Sequence, residues 1–326
     1  MKTLLFALLF SFVLSLICGF IFIPILRRFK AGQPILKYVE THKDKNGTPT
    51  MGGLFFIIPS LIVFAFLDLG DKYICFVCIA ITVSFMTVGF LDDFIKIKSK
   101  DNQGLKAYQK IIFQFSIAII AGIFAYRNNI TNFYLPFVNK TVDLGWFTII
   151  IVCFIFLAIT NSVNLTDGLD GLASNVVAIY LIFISLLIAF QTNIFNYSYN
   201  NGKIPSLIYL CTCFIGGILA FLVFNTNKAS VFMGDTGSLA LGGLVGSVSI
   251  FSSNSFLIPI LGIMFVSTSI SVIIQVLYYK KTKKRVFLMS PMHHHFQLKG
   301  YSEGKISYIY SLVTCISGML LLICYL

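Results

Sequence analysis

The sequence predicts an all-α integral membrane protein, and three observations carry that prediction. Of the 326 residues, 57% are hydrophobic and only 11% charged, where soluble domains carry about a quarter charged. Uncharged stretches long enough to cross a bilayer recur from end to end. Lys and Arg gather in alternate gaps between them. The mean hydropathy of +0.90 excludes a soluble globular chain, a disordered chain, a secreted disulfide scaffold and a collagen-like repeat. The chain reads as one polytopic membrane domain over 1–326.

The gaps between charges define ten spans: 3–26, 51–67, 73–91, 111–126, 146–163, 171–190, 205–224, 236–251, 256–279 and 306–326. Helices are expected, because hydrocarbon leaves no partner for an unpaired backbone group. The first span is an anchor rather than a signal peptide: it is long, lacks a small-residue cleavage site and is followed by Arg27-Arg28. The uncharged run 236–279 divides at Ser252-Ser253-Asn254-Ser255, a polar turn. Spans 51–67, 111–126 and 236–251 are short and call for tilt or a thinned bilayer. Between spans four and five, alternating Phe133, Leu135 and Phe137 suggest a small hairpin. All eight cysteines fall within spans and read as apolar packers.

Orientation follows from the basic residues. Nineteen of the 24 Lys/Arg lie in the gaps after spans one, three, five, seven and nine. That side is expected to be cytoplasmic, which puts both termini outside. A net charge of +12 then serves orientation and attraction for anionic lipid headgroups and substrates. A nucleic-acid partner is not expected from charges so placed.

The same side holds nine of the twelve carboxylates and all four histidines. The first loop runs Lys45-Asn46-Gly47-Thr48-Pro49-Thr50-Met51-Gly52-Gly53 into span two. It suits either anion binding at a helix start or a plain N-cap at Thr50. Asp92-Asp93 stand at the mouth of span three, with Lys96 one turn on. Neighbouring helical residues point roughly 100° apart, so the two aspartates should play different parts. The third loop, Asn161 to Leu172, has two Asn, two Asp and a Thr but no Glu to close a calcium cage. It fits a hard-metal or phosphate site. In the fourth, Gly234-Asp235-Thr236-Gly237 allows a ligand close to the backbone. The fifth carries Lys280 to Arg285, then Pro291-Met292-His293-His294-His295-Phe296, a helix start bearing imidazoles. Five loops bringing carboxylate, amide, Lys and His to one face point to phosphoryl transfer with a metal.

Those motifs, taken in chain order as Lys-x-Gly-Thr-Pro-Thr-Met-Gly-Gly at 45–53, Asp92-Asp93, Asn-Leu-Thr-Asp-Gly-Leu-Asp-Gly at 164–171, Phe-Met-Gly-Asp-Thr-Gly-Ser at 232–238 and Pro-Met-His-His-His-Phe at 291–296, resemble a known family. It is the polyprenyl-phosphate N-acetylhexosamine-1-phosphate transferases, in particular the branch that handles phospho-MurNAc-pentapeptide. The resemblance implies ten transmembrane helices with extracytoplasmic termini and five cytoplasmic loops forming the active site. It also implies a bacterial plasma membrane, Mg²⁺, UDP-MurNAc-pentapeptide as donor and undecaprenyl phosphate as acceptor. UMP would leave, and a homodimer is implied too.

Residue by residue, Asp92, Asp93 and Asp235 resemble the catalytic carboxylates, with Lys96 beside the phosphates. Asp235 and Asn164 resemble the magnesium position. Lys45, Thr50, Asn164, Asp167, Asp170, Asn225 and Phe232 resemble the nucleotide pocket, Phe232 stacking on uracil. Gln275, His293 and His294 resemble its remaining edge, His294 with a catalytic part. Two rivals are a relative using UDP-N-acetylglucosamine and, from another class, a secondary transporter. Transporters place their carboxylates near the midplane on broken helices, whereas these crowd one surface.

Overall fold

The computed structural model describes residues 2–28, 47–99, 104–138, 140–194, 205–226 and 228–324. Nine of the ten predicted spans each coincide with one helix among the described residues. Eight helices among the described residues are long and apolar enough to cross a membrane: α1 (Lys2–Arg28), α3 (Tyr73–Ser99), α4 (Ala107–Arg127), α5 (Phe147–Thr166), α6 (Leu172–Ile194), α7 (Ser206–Asn225), α10 (Ile263–Thr282) and α12 (Glu303–Ile323). Two shorter ones, α2 (Gly53–Phe66) and α8 (Gly234–Phe251), occupy the second and eighth predicted spans. The described residues are thus predominantly helical, and the apolar helices are those of an integral membrane protein.

Three expectations need correction. Span nine is not one helix: a 3₁₀ turn at Ser255–Leu257 leads into a four-residue α9 (Ile258–Leu261), and α10 starts afresh at Ile263. Gly262 breaks the path at φ −92°, ψ 28°, and glycine, about 1 kcal/mol less favourable than alanine in a helix interior, is the weak link. Helix α3 runs eight residues beyond its predicted end, so Asp92 and Asp93 lie inside it rather than at its mouth. Likewise Asn161 and Asn164 belong to the last turns of α5, which leaves only a short bend before α6.

The bundle is built around α8. Every residue from Thr236 to Phe251 is buried, as expected of a helix apolar on all sides. It packs on α3 and α5, while α7 gathers α1, α2 and α6, and α12 lies on α6. Small residues permit the approach. A Cβ on Gly246 would touch the Phe156 ring at 3.0 Å, and one on Gly89 would collide with the carbonyl of Asp235. Leu5, Phe6, Phe10, Phe115, Ile120 and Phe154 point outward, as lipid-facing side chains do.

The hairpin is present. β1 (Asn132–Leu135) pairs antiparallel with β2 (Lys140–Asp143), with Phe133 opposite Val142. Phe133 is buried against Phe256, and the Tyr134 N–H donates to the Ser253 carbonyl at 2.9 Å. The hairpin therefore covers the turn that ends α8, at the end of the bundle away from Asp235.

Candidate active site

At the other end of α8, segments distant in sequence are stitched together. The Phe232 N–H donates to the Pro49 carbonyl at 2.8 Å; Gly52 and Gly53 donate to the carbonyls of Phe232 and Met233 at 2.9 and 3.1 Å. This ladder fixes the entrance to α2 beside the entrance to α8. The N-cap of α2 is Gly52 rather than Thr50. The Thr50 hydroxyl is instead buried with no hydrogen-bond partner among the described residues. Gly234, at φ 72°, fits between Thr50 and Asp93, where a Cβ would clash with both side chains.

Asp93 and Asp92 diverge as their helical angle requires. Fully buried Asp93 accepts the N–H groups of Asp235 and Thr236 at 3.2 and 2.9 Å, and the Thr236 hydroxyl at 2.7 Å. Its charge therefore rests on the positive end of α8. Asp92 Oδ2 pairs with Lys96 Nζ at 2.6 Å, and Oδ1 accepts the Leu105 N–H at 2.8 Å.

Asp235 is where the groups meet. Its Oδ2 receives Lys96 Nζ at 3.1 Å and Lys110 Nζ at 2.7 Å. Its Oδ1 receives Asn164 Nδ2 at 2.7 Å, an amide that also donates to the Ser238 hydroxyl at 2.8 Å. The side chains of Lys96, Lys110 and Asp235 are 17, 17 and 16% exposed, so the cluster is sheltered yet reachable from solution. Carboxylate oxygens of Asp92, Asp93 and Asp235 lie within 4.8 Å of one another. Converging hard oxygens of this kind suit Mg²⁺. Asn164 presents its nitrogen, not its oxygen, to Asp235, and in this arrangement it orients the carboxylate.

The remaining candidates surround this centre at different depths. Asp170 is buried and accepts the Ala229 N–H at 3.0 Å. Asn225 accepts the Gly171 N–H at 2.9 Å and donates to the Val231 carbonyl at 2.8 Å. Together they bind the third loop to the fourth and hold half-buried Phe232 in place. Half-buried Asp167 follows the last turn of α5. Burial, then the charges of Asp235, Asp93 and Asp170, push its carboxyl up to about 8.

The predicted helix after Pro291 is α11 (Met292–Leu298). Its His293 is buried with Nε2 against Gly168, and His294 Nδ1 lies 3.1 Å from Gln297 Oε1. Gln275 is farther from the centre in role: its amide accepts from Val286 and Phe287 at 3.0 and 2.9 Å and donates to the Phe287 carbonyl at 3.1 Å, which shapes the fifth loop. Lys45 lies outside the described residues. Sequence reasoning missed Lys110, Thr236 and Ser238. The available signal was position alone, for Lys110 opens a span on the basic side and the other two follow Asp235.

The profile of glycosyl transferase family 4 matches residues 75–253, and signature 1 of the phospho-N-acetylmuramoyl-pentapeptide-transferases matches residues 45–57. A phospho-N-acetylmuramoyl-pentapeptide-transferase of Clostridium novyi (strain NT) is 43% identical over 99% of this chain and 98% of its own length. Proteins of that name from Caldanaerobacter subterraneus subsp. tengcongensis and Clostridioides difficile (strain 630) are 40% and 42% identical, over 97% and 94% of this chain and 96% and 93% of theirs. A family model over more than half of the chain, together with relatives at least 40% identical over nearly its whole length, admits one conclusion: the chain belongs to the phospho-N-acetylmuramoyl-pentapeptide-transferases of glycosyl transferase family 4.

Proposed function

We propose that the chain transfers phospho-MurNAc-pentapeptide from UDP-MurNAc-pentapeptide to undecaprenyl phosphate, releasing UMP and forming the first lipid-linked intermediate of peptidoglycan synthesis. The observation that carries this reading is the meeting of three carboxylates with Lys96 and Lys110 at one end of the bundle. The excess of Lys/Arg on that side supports a cytoplasmic active site and a ten-crossing topology with both termini outside.

A phosphate monoester is mostly dianionic at neutral pH, its second pKa being about 6. The acceptor therefore needs little activation, and the obstacle is bringing it to an anionic diphosphate. Lys96 and Lys110 supply fixed positive charge where the two anions meet, and Asn164 holds the plane of Asp235. Asp235, with Asp92 and Asp93 alongside, would hold Mg²⁺. When bound, the ion neutralises charge on the diphosphate. The lipid phosphate oxygen attacks the sugar-side phosphorus; the bond from that phosphorus to the bridging oxygen breaks, and UMP departs with the electron pair. Both oxygens of Asp92 and of Asp93 are already engaged. Thr50, Asp167, Asp170, Asn225 and Phe232 line the uridine side in this reading, with Lys45 beside them, while Gln275, His293 and His294 form its far edge.

The test is incubation of the purified protein with UDP-MurNAc-pentapeptide, undecaprenyl phosphate and Mg²⁺. Release of UMP with formation of lipid-linked product is expected. Turnover of UDP-N-acetylglucosamine instead, or of neither donor, would overturn the reading.

A further inference from the structure

Beneath Asp235, one helical turn deeper in the bundle, two side-chain amides face each other. Asn161 Nδ2 donates to Gln114 Oε1 at 2.8 Å, and Gln114 Nε2 lies 3.5 Å from Asn161 Oδ1. Asn161 also donates to the Leu157 carbonyl of its own helix at 2.8 Å, which fixes its rotamer. Gln114 is completely buried. Each amide sits on the same helical face as a group that touches Asp235, because residues three or four apart on a helix share a face. Gln114 follows Lys110 by four on α4, and Asn161 precedes Asn164 by three on α5. Lys110 and Asn164 approach Asp235 from these two helices and take different oxygens, Oδ2 and Oδ1.

We propose that the Gln114–Asn161 pair is a positioning element of the transferase, setting the rotation of α4 against α5 so that Lys110 and Asn164 bracket the Asp235 carboxylate. Dispersion contacts along α4 and α5 tolerate small slides and rotations, since one apolar side chain substitutes for another. A buried amide pair does not, because turning either helix separates donor from acceptor in a setting that offers no water. The pair touches no reacting group and acts only through Lys110 and Asn164. This inference rests on the reading of Asp235 as catalytic.

The experiment is a double-mutant cycle on the purified full-length enzyme, measuring UMP release with kcat and KM separated and thermal unfolding in parallel. Gln114→Met keeps the length and apolar volume but removes the amide. In the wild-type background it should lower kcat by at least about tenfold while the donor KM moves less than about threefold. In a Lys110→Ala background it should cost less than about threefold more, because Lys110, the group that Gln114 aims from its own helix, is already gone. Exchanging the partners, Gln114→Asn with Asn161→Gln, keeps one long and one short amide and should restore at least about a third of wild-type kcat. This exchanged pair also stands in should the single variant fail to accumulate.

Equal fold-losses in the two backgrounds would overturn the proposal, as a merely structural role multiplies through. So would full activity of Gln114→Met, or an exchanged pair that folds but turns over no faster than Gln114→Met. Asp235→Asn with wild-type turnover would instead overturn the reading of the site itself, whatever Gln114 does.

Discussion

The Asp93 carboxylate takes two hydrogen bonds from Thr236, one from its N–H and one from its hydroxyl, and so caps a helix that is not its own. A carboxylate at a buried helix N-terminus satisfies orphan donors and meets the helix dipole. Asp93→Ala should therefore cost at least about 2 kcal/mol of stability, with Thr236→Val costing about 1 kcal/mol. Thermal unfolding in detergent measures both. An unchanged midpoint for Asp93→Ala would show that the cap does not hold α8.

Asp235 makes no cap to its own helix; its oxygens face Lys96, Lys110 and Asn164. Asp235→Asn keeps the shape and removes the charge. Turnover should fall by more than about tenfold, equivalent to about 1.4 kcal/mol of barrier, with membrane insertion preserved. A magnesium titration beside wild type should shift to higher concentration. A retained rate with an unshifted titration contradicts the metal assignment.

Lys110 makes the shorter of the two lysine contacts to Asp235 Oδ2. Lys110→Ala should lower kcat by about a hundredfold, in the range for loss of one preorganised electrostatic group. Lys106→Ala, an exposed neighbour one turn earlier on the chain, should stay within about threefold of wild type. Steady-state kinetics on the pair separate a specific charge from the general basicity of this face.

Asp167 supplies the pH dependence. Its carboxyl is raised from 3.8 to about 8 by burial and by like charges, so the folded state holds a proton that the unfolded chain releases. Stability from this group is complete below the ordinary carboxylate value and is lost as pH climbs through about 8. Asp167→Asn cannot ionise, and its melting temperature should gain on wild type from about pH 4 up to about pH 8 and keep a constant lead above that. Parallel melting curves across that range would contradict the raised value.

Gly89 lets α3 lie on the first turn of α8, where a Cβ would strike the Asp235 and Thr236 backbone. Backbone cannot yield as a flexible side chain does, so Gly89→Ala should cost about 1–3 kcal/mol and displace Asp235 from Lys96. Both the melting temperature and UMP release should fall. Alanine at exposed Gly304, with open space around it, is the control and should leave both unchanged.

Helix positions were legible because charge and hydropathy mark spans locally, and the hairpin was legible from Phe133 and its neighbours. The break at Gly262 was not, because a glycine within an apolar run carries no signal of whether its helix continues. The centre was half legible. Asp92, Asp93, Lys96, Asn164 and Asp235 stand out as polar groups beside apolar spans, and the structure brings them together. Lys110 was one of five basic residues in 96–110, and only the crossing of α4 with α5 singles it out. Gln275 read as a substrate contact, yet its amide is taken up by Val286 and Phe287. Nothing in the spacing of those residues announces that partnership.

The ladder joining Gly52 and Gly53 to Phe232 and Met233 also sets a timetable for biogenesis. A nascent chain halted after α7 would have inserted most of its helices yet would lack Asp235, the second side of the ladder and the donors that α8 brings to Asp93. Nothing made before α8 can rehearse the reaction. The ribosome must deliver the central helix last among those that touch Asp235, so the cluster of carboxylates and lysines should form in a single step as α8 docks, before α11 adds the histidine edge.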